Sequence, residues 1–380
     1  MADLEEELRQ LKFRDPERAR ALARALEREV KAIGRAPVSI MHVCGSHEQS
    51  IARFGLRATF PAELEVVMGP GCPVCVTDMP EVDEAVALGL SGHRIATYGD
   101  MLKVPGTARS LADAKAEGAK VEVVYSVEQA VELAQAYPAE EVVFFASGFE
   151  TTAVATAAIL VRGVPENFSV LSAHKYIPPA MEIVAEMPGN RIEGFLAAGH
   201  AAAITGAAVF EPFVERHRLP VVVGGFEPLD VLAALLKLVE LVRAGRAEVA
   251  NMYPRVVTRE GNRAAQEKLW RVFKPTGGRW RGIAHIPNGN LRLRDEFARV
   301  DARRRFAIDV ASLQERAPSP LAERCICGDI MAGLRRPTDC ELFGTSCRPE
   351  SPVGACMVSS EGSCRIWHTY GGIPDLKEVG

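Results

Sequence analysis

The sequence lacks any one-sided charge: 45 Lys and Arg stand against 49 Asp and Glu over 380 residues, a formal net charge of −4. No global basic field is therefore present to hold nucleic acid or an anionic membrane surface. It also lacks a transmembrane-length apolar run, because Gly, Glu or Lys interrupts the longest ones within about a dozen residues. The acidic start, Met1-Ala-Asp-Leu-Glu-Glu-Glu-Leu8, has no basic region, apolar run or small-residue cleavage site of a secretory signal. A cytoplasmic protein is expected. In that reducing compartment, clustered cysteines point to metal or redox chemistry and away from a disulfide framework.

With 48% hydrophobic and 25% charged residues, the chain is long enough for two or three domains with a sizeable core. Helical spacing of apolar residues predicts a helix from about Leu4 to Ile33, closed by Pro37. Short β-branched runs then alternate with helical patterns: Val38 to Val43, Leu64 to Met68, Arg94 to Tyr98 and Val121 to Tyr125, followed by Glu141 to Ala146, Phe168 to Leu171, Glu193 to Ala197 and Pro220 to Val223. Such runs read as parallel strands buried on both faces. The fold class expected is α/β, with two similar parallel-sheet lobes over 34–130 and 131–250. Beyond Asn251 the text turns irregular, and 251–380, together with the N-terminal helix 1–33, is expected to form a third, cysteine-rich domain. The Arg-rich stretch from Arg292 to Arg305, interleaved with Asp295, Glu296 and Asp301, reads as a solvated helix face.

In an open parallel sheet, ligands bind outside the carboxyl ends of the strands, and the unusual residues of this chain fall there. After the first strand comes Cys44-Gly-Ser-His-Glu-Gln49; after the second, Gly69-Pro-Gly-Cys72-Pro-Val-Cys75. Later strand ends carry Ser147-Gly-Phe-Glu150-Thr-Thr152, His174-Lys175, Gly199-His200 and Gly224-Gly-Phe-Glu227. Cys44 stands where a strand turns into a helix, and helix amides favour a thiolate, which is a nucleophile or a soft metal ligand. His47, one turn on, is placed to supply a proton, a hydrogen bond or a second ligand; the alternative is a small buried cysteine beside a capping histidine. Cys72-x-x-Cys75 has the spacing of a redox or iron-binding dithiol, or of half a zinc site. The segment around Glu150 lacks the Walker Lys-Ser/Thr ending and the three-glycine dinucleotide fingerprint, so it reads as a helix start that aims Glu150 into the crevice. His174 and His200, at adjacent strand ends, and Glu227, before Pro228, complete the cleft candidates.

Six of the nine cysteines fall in the last 56 residues: Cys325, Cys327, Cys340, Cys347, Cys356 and Cys364. Their neighbours are Gly, Asp, Arg, Pro and Ser, not the apolar periodic text of a core. Three disulfides, a zinc site and an iron–sulfur cluster all remain open to such a set.

Taken together, Cys44-Gly-Ser-His-Glu48, Gly69-Pro-Gly-Cys-Pro-Val-Cys75, Tyr98-Gly-Asp100-Met101, Gly148-Phe-Glu-Thr-Thr152, Ser172-Ala-His-Lys175, Gly225-Phe-Glu-Pro-Leu-Asp230 and Cys325-Ile-Cys-Gly-Asp329 resemble the hydrogenase maturation factor HypD family, in order and over about residues 30 to 370. The resemblance implies two α/β lobes around a cleft, a domain carrying a 4Fe-4S cluster, and a role in assembling the Fe(CN)2CO unit of nickel–iron hydrogenases. It implies two partners, the small chaperone HypC, which shares the iron with Cys44, and HypE, which delivers cyano groups; His47 is then the supporting residue. By similarity of the tail to ferredoxin:thioredoxin reductase, Cys325, Cys340, Cys347 and Cys364 are expected as cluster ligands and Cys327 with Cys356 as a redox pair, beside the Cys72/Cys75 dithiol. The competing reading is an iron–sulfur thiol/disulfide oxidoreductase acting on a protein substrate.

Overall fold

The computed structural model describes residues 14–311 and 320–372, so the first part of the expected N-terminal helix lies outside the described residues. The strands run β1 Val38–His42, β2 Leu64–Met68, β3 Arg94–Thr97, β4 Val121–Val123, β5 Val142–Gly148, β6 Phe168–His174, β7 Ile192–Ala198, β8 Val221–Gly224, β9 Val249–Asn251, β10 Phe273–Trp280 and β11 Ala284–Leu293. All eight expected strands are present. They form two parallel sheets, β2-β1-β7-β8-β9 and β4-β3-β5-β6, and a separate antiparallel hairpin of β10 and β11. Every residue of β1, β5 and β6 is buried, as expected of parallel strands covered by helices on both faces.

The strands are not shared out between the sheets at residue 130. The chain lays down β1 and β2, crosses over to build the whole second sheet with β3 to β6, and returns to complete the first sheet with β7 to β9. A buried β-branched run carries no mark of which sheet it joins; that is decided by long-range pairing such as Met41 with Phe195. Within each sheet the order is the same: second strand, first, third, fourth.

Two further segments depart from expectation. The helix α1, Pro16–Ile33, does not join the cysteine region; it buries Leu26 and Val30 in a cluster with Val231, Leu235 and Leu238 of α2, Pro228–Arg243, on the first sheet. The text beyond Asn251 is not irregular at first, because a helix, α3 Arg263–Val272, leads into the hairpin. Leu269, Val272, Phe273 and Leu291 pack against Phe144, Phe168 and Val170 of the second sheet. Nor is 292–305 a solvated face. Arg292 pairs with Glu81 at 3.0 Å, Arg303 with Glu84 at 2.5 Å and Arg305 with Glu141 at 2.7 Å, which ties this segment to the second lobe. Directly after β6 sits a fully buried Lys175, whose Nζ donates to Glu81 (2.6 Å) and to Asn290 (3.1 Å).

Candidate functional site

A doubly wound sheet opens its crevice between the two strands whose connections leave to opposite faces. In the first sheet these are β1 and β7, and the turns that follow them deliver Cys44 and His200. In the second they are β3 and β5, which deliver Asp100 and Glu150.

Cys44 is the N-cap of the helix Gly45–Arg53 and is only 8% exposed. The loop that positions it is held by glycines. Gly45 donates its N–H to the Gly71 carbonyl at 3.0 Å, and a Cβ on Gly71 would stand 2.2 Å from the Cys44 amide nitrogen. The Gly69–Cys75 loop therefore lies directly on the Cys44 turn. The helix amides of Ser46 and His47 do face the sulfur, but burial and the nearby Glu361 carboxylate outweigh them and push the thiol up to about 11. The expectation of a thiolate set by the helix start alone is thus corrected: desolvation is the larger effect.

His47 is buried, and burial followed by the neighbouring His42 holds its pKa down to about 3. The neutral ring donates Nε2–H to the Gly225 carbonyl at 3.0 Å, since a carbonyl only accepts, and its Nδ1 has no hydrogen-bond partner among the described residues. Phe226 stacks between His47 (4.7 Å between ring centroids) and His200 (3.8 Å). The structure therefore brings Cys44, His47 and His200 to one place, with Phe226 as the spacer.

Behind the Cys44 helix is a buried network that the sequence did not announce. Glu48 accepts from His42 Nε2 (2.7 Å), Arg57 Nη2 (2.9 Å) and Trp367 Nε1 (2.6 Å). Burial alone would raise this carboxyl, but Arg57 and His42 hold it well below the usual carboxylate range. His42 Nδ1 in turn lies 3.1 Å from the Cys44 carbonyl oxygen. Glu48 belongs to the Cys44 motif and was in view; Arg57 and Trp367, 9 and 319 residues away, gave no local signal. On the cleft side, Asp100 accepts from Ser359 Oγ (2.9 Å) and the Ser360 amide (3.3 Å), and fixes the turn that carries Glu361 against Gly45.

Cys72 and Cys75 are joined as a disulfide and are fully buried. Cys75 Sγ is 3.9 Å from the Ala355 carbonyl, which places this pair next to the cysteine tail. There Cys325 Sγ donates to Cys327 Sγ at 3.2 Å, and Cys356 lies in hydrogen-bond contact with both Cys327 and Cys364. Cys347 is close enough to feel the charges of Cys325 and Cys327. Five sulfurs thus share one pocket, and the backbone at Gly354 leaves them room, since a Cβ there would stand 2.4 Å from Cys327 Sγ and 2.6 Å from Cys325 Sγ. Cys327 and Cys356 are free thiols, as are the other tail cysteines, and Cys340 is half-buried against the same hydrophobic cluster. Arg281, also missed in the sequence, is a half-buried cation of this region. It donates to the Thr77 (2.7 Å) and Pro105 (2.6 Å) carbonyls, just past the disulfide, and its charge acts on Cys327 and Cys325.

No three His, Cys, Asp or Glu among the described residues converge on a single metal ion. A cubane cluster asks for something else: one thiolate for each iron, spread around the cluster. Five soft donors in one pocket beside a half-buried guanidinium fit that demand in chemistry and number.

The remaining candidates lie elsewhere. Glu150 is buried in the second lobe, where it accepts the Ile177 N–H at 3.1 Å, and burial raises its carboxyl to about 7. His174 is paired with Thr156 Oγ1 at 3.1 Å and packs edge-on to Phe273. Neither touches Cys44 among the described residues. Glu227 faces away as well, capping α2 and holding Arg14 at 2.6 Å.

Fold and site together define a two-lobed α/β protein whose paired sheets meet a thiol-rich tail at one cleft. The family model described as HypD, hydrogenase formation hypA family, matches residues 17–371, and the chain belongs to that family. It is 42% identical to the hydrogenase maturation factor HypD of Cupriavidus necator, covering 97% of this chain and 98% of that one. It is 43% identical to HypD1 of Bradyrhizobium diazoefficiens (96% and 97%), and 42% identical to a putative hydrogenase expression/formation protein of Methanocaldococcus jannaschii (88% and 92%). No described helix is long and apolar enough to cross a membrane.

Proposed function

We propose that this chain acts in the maturation of a nickel–iron hydrogenase, as a redox-active scaffold that holds iron at Cys44 together with a HypC-type chaperone while CO and cyanide are attached. The iron is cargo. The observation that carries this reading is the convergence at one cleft of a lone thiol at the first sheet's crevice, a disulfide loop packed on its turn, and a pocket of five further sulfurs. A soft thiolate suits an iron that retains CO and cyanide. Iron binding would displace the thiol proton that burial otherwise retains on Cys44; the Glu361 carboxylate acts on that thiol, and His47 is the supporting residue proposed.

Transfer of cyanide from a thiocyanate-type sulfur on a HypE-type donor breaks one S–C bond and takes up two electrons, giving cyanide and a thiolate. The Cys72/Cys75 dithiol supplies both electrons as it closes to the disulfide and releases two protons. A 4Fe-4S cluster, with Cys325, Cys347 and Cys364 of the five-sulfur pocket and the half-buried Cys340 from outside it as the ligand set proposed, and Cys327 with Cys356 as a further thiol pair, would supply single-electron transfer there.

The alternative, a thiol/disulfide oxidoreductase acting on a protein substrate, rests on the same Cys72–Cys75 disulfide. Anaerobic copurification with the small chaperone separates the two. Infrared bands of metal-bound CO and cyanide are expected; a chaperone complex without them would refute the scaffold reading.

A further inference from the structure

A cavity of about 410 Å³ lies along the open edge of the first sheet, where β2 is the outermost strand, and every residue of β2 lines it. The cysteine cleft makes no use of it, although Glu48, on the back of the Cys44 helix, contributes to its wall. Its charge is opposite to that of the chain as a whole. Four arginines, Arg57, Arg191, Arg335 and Arg336, face two carboxylates, Glu48 and Glu65. Glu65 is already engaged by Arg336 at 2.9 Å and Arg191 at 4.0 Å, and Glu48 by Arg57. Arg335 stands exposed on the rim with no side-chain partner among the described residues. Arg57 is the second observation. Its side chain is only 8% exposed, Nη2 bonds Glu48, and Nη1 is buried with no hydrogen-bond partner among the described residues. A buried guanidinium N–H without an acceptor is uncommon in a finished structure and marks a place for one. The same guanidinium lies 5.2 Å over the Trp367 ring, and Trp367 and Phe60 give the cavity aromatic walls.

We propose that this cavity is a binding site for a small organic anion with a flat apolar body, its phosphate or carboxylate group taken by the arginines and its body packed on Trp367 and Phe60. Guanidinium groups recognise both anions through paired N–H donors. The volume falls within the range of small-molecule sites, roughly 300–1,000 Å³. The inference does not depend on the scaffold function.

The test is calorimetric titration of the full chain, purified anaerobically, with phenyl phosphate, benzoate, inorganic phosphate and phenol as separate probes. Saturable binding of phenyl phosphate or of benzoate is expected, at least about 10-fold tighter than inorganic phosphate or phenol. Which of the two binds names the anionic group. Arg335→Glu and Arg191→Glu, both at exposed rim positions, should each weaken binding by about 10-fold or more with an unchanged thermal melt. Failure of both organic anions to bind would overturn the proposal, as would equal affinity for inorganic phosphate or for phenol, or undiminished binding by the two charge-reversed variants.

Discussion

The two lobes are built on one strand order and put it to different uses. In the first, the crevice between β1 and β7 holds a free thiol, a neutral histidine lacking one hydrogen-bond partner, and a stacked pair of rings. In the second, the titratable groups near the equivalent strand ends are spent on structure: Lys175 and Arg292 neutralise Glu81, His174 is tied to Thr156, and Glu150 caps the helix at Ile177. A strand end at a topological crossover is therefore an opportunity for chemistry and not evidence of it. What distinguishes the lobes is the kind of group placed there: a free thiol in the first, ion-paired and hydrogen-bonded side chains in the second.

The largest effect that would sharpen this contrast is expected at Cys44. Cys44→Ala should abolish the CO and cyanide infrared bands of the copurified complex while the melting temperature stays within ~2 °C of the parent, because a small thiol is replaced without a lost hydrogen bond. Bands at parental intensity would remove Cys44 from the iron site. Next, Cys72→Ser, Cys75→Ser and the double change should each block hydrogenase maturation in complemented cells to the same degree, since a two-electron couple needs both sulfurs. Near-normal maturation with one single variant would leave the loop with a one-thiol role.

The second lobe should respond in stability and not in chemistry. Lys175→Met leaves Glu81 buried with half of its compensation and should cost about 3 kcal/mol in denaturant unfolding, with the infrared signature per folded molecule unchanged. A loss of the signature out of proportion to the unfolded fraction would break the comparison. An effect of similar size, confined to a pH window, concerns Glu150. Its carboxyl is raised in the folded state from an ordinary 4.5 to about 7, so the folded protein holds an extra proton between these values, and stability should fall as pH rises from about 4.5 through 7. Glu150→Gln should remove that slope, a difference of up to about 3 kcal/mol across the window. Parallel pH profiles for the two proteins would show that Glu150 is not held protonated.

Much of this was legible locally. The β-branched runs announced eight of the nine strands of the two sheets, because parallel strands covered on both faces must be apolar throughout; β9, three residues long and half-buried, gave no such run. The loops around Cys44 and Cys72 were legible because a Cβ on Gly45 or Gly71 would stand 2.5 or 2.2 Å from neighbouring backbone, which permits only glycine there, and glycine next to cysteine stands out in text. For Glu150, His174 and Glu227 the position at a strand end was visible, whereas the partners they meet, Ile177, Thr156 and Arg14, were not.

The sequence by itself determined the elements, the neutral charge balance and which residues carry sulfur, since each follows from neighbours within a turn or a strand. Tertiary structure alone decided which strands share a sheet, why the N-terminal helix packs on α2 and not on the cysteine tail, and which five sulfurs meet. It also closed the Glu48, Arg57 and Trp367 network and left one arginine N–H unpaired at the edge of β2. Those outcomes depend on contacts across as many as 319 residues, and a buried charge or thiol takes its properties from whatever the fold brings against it.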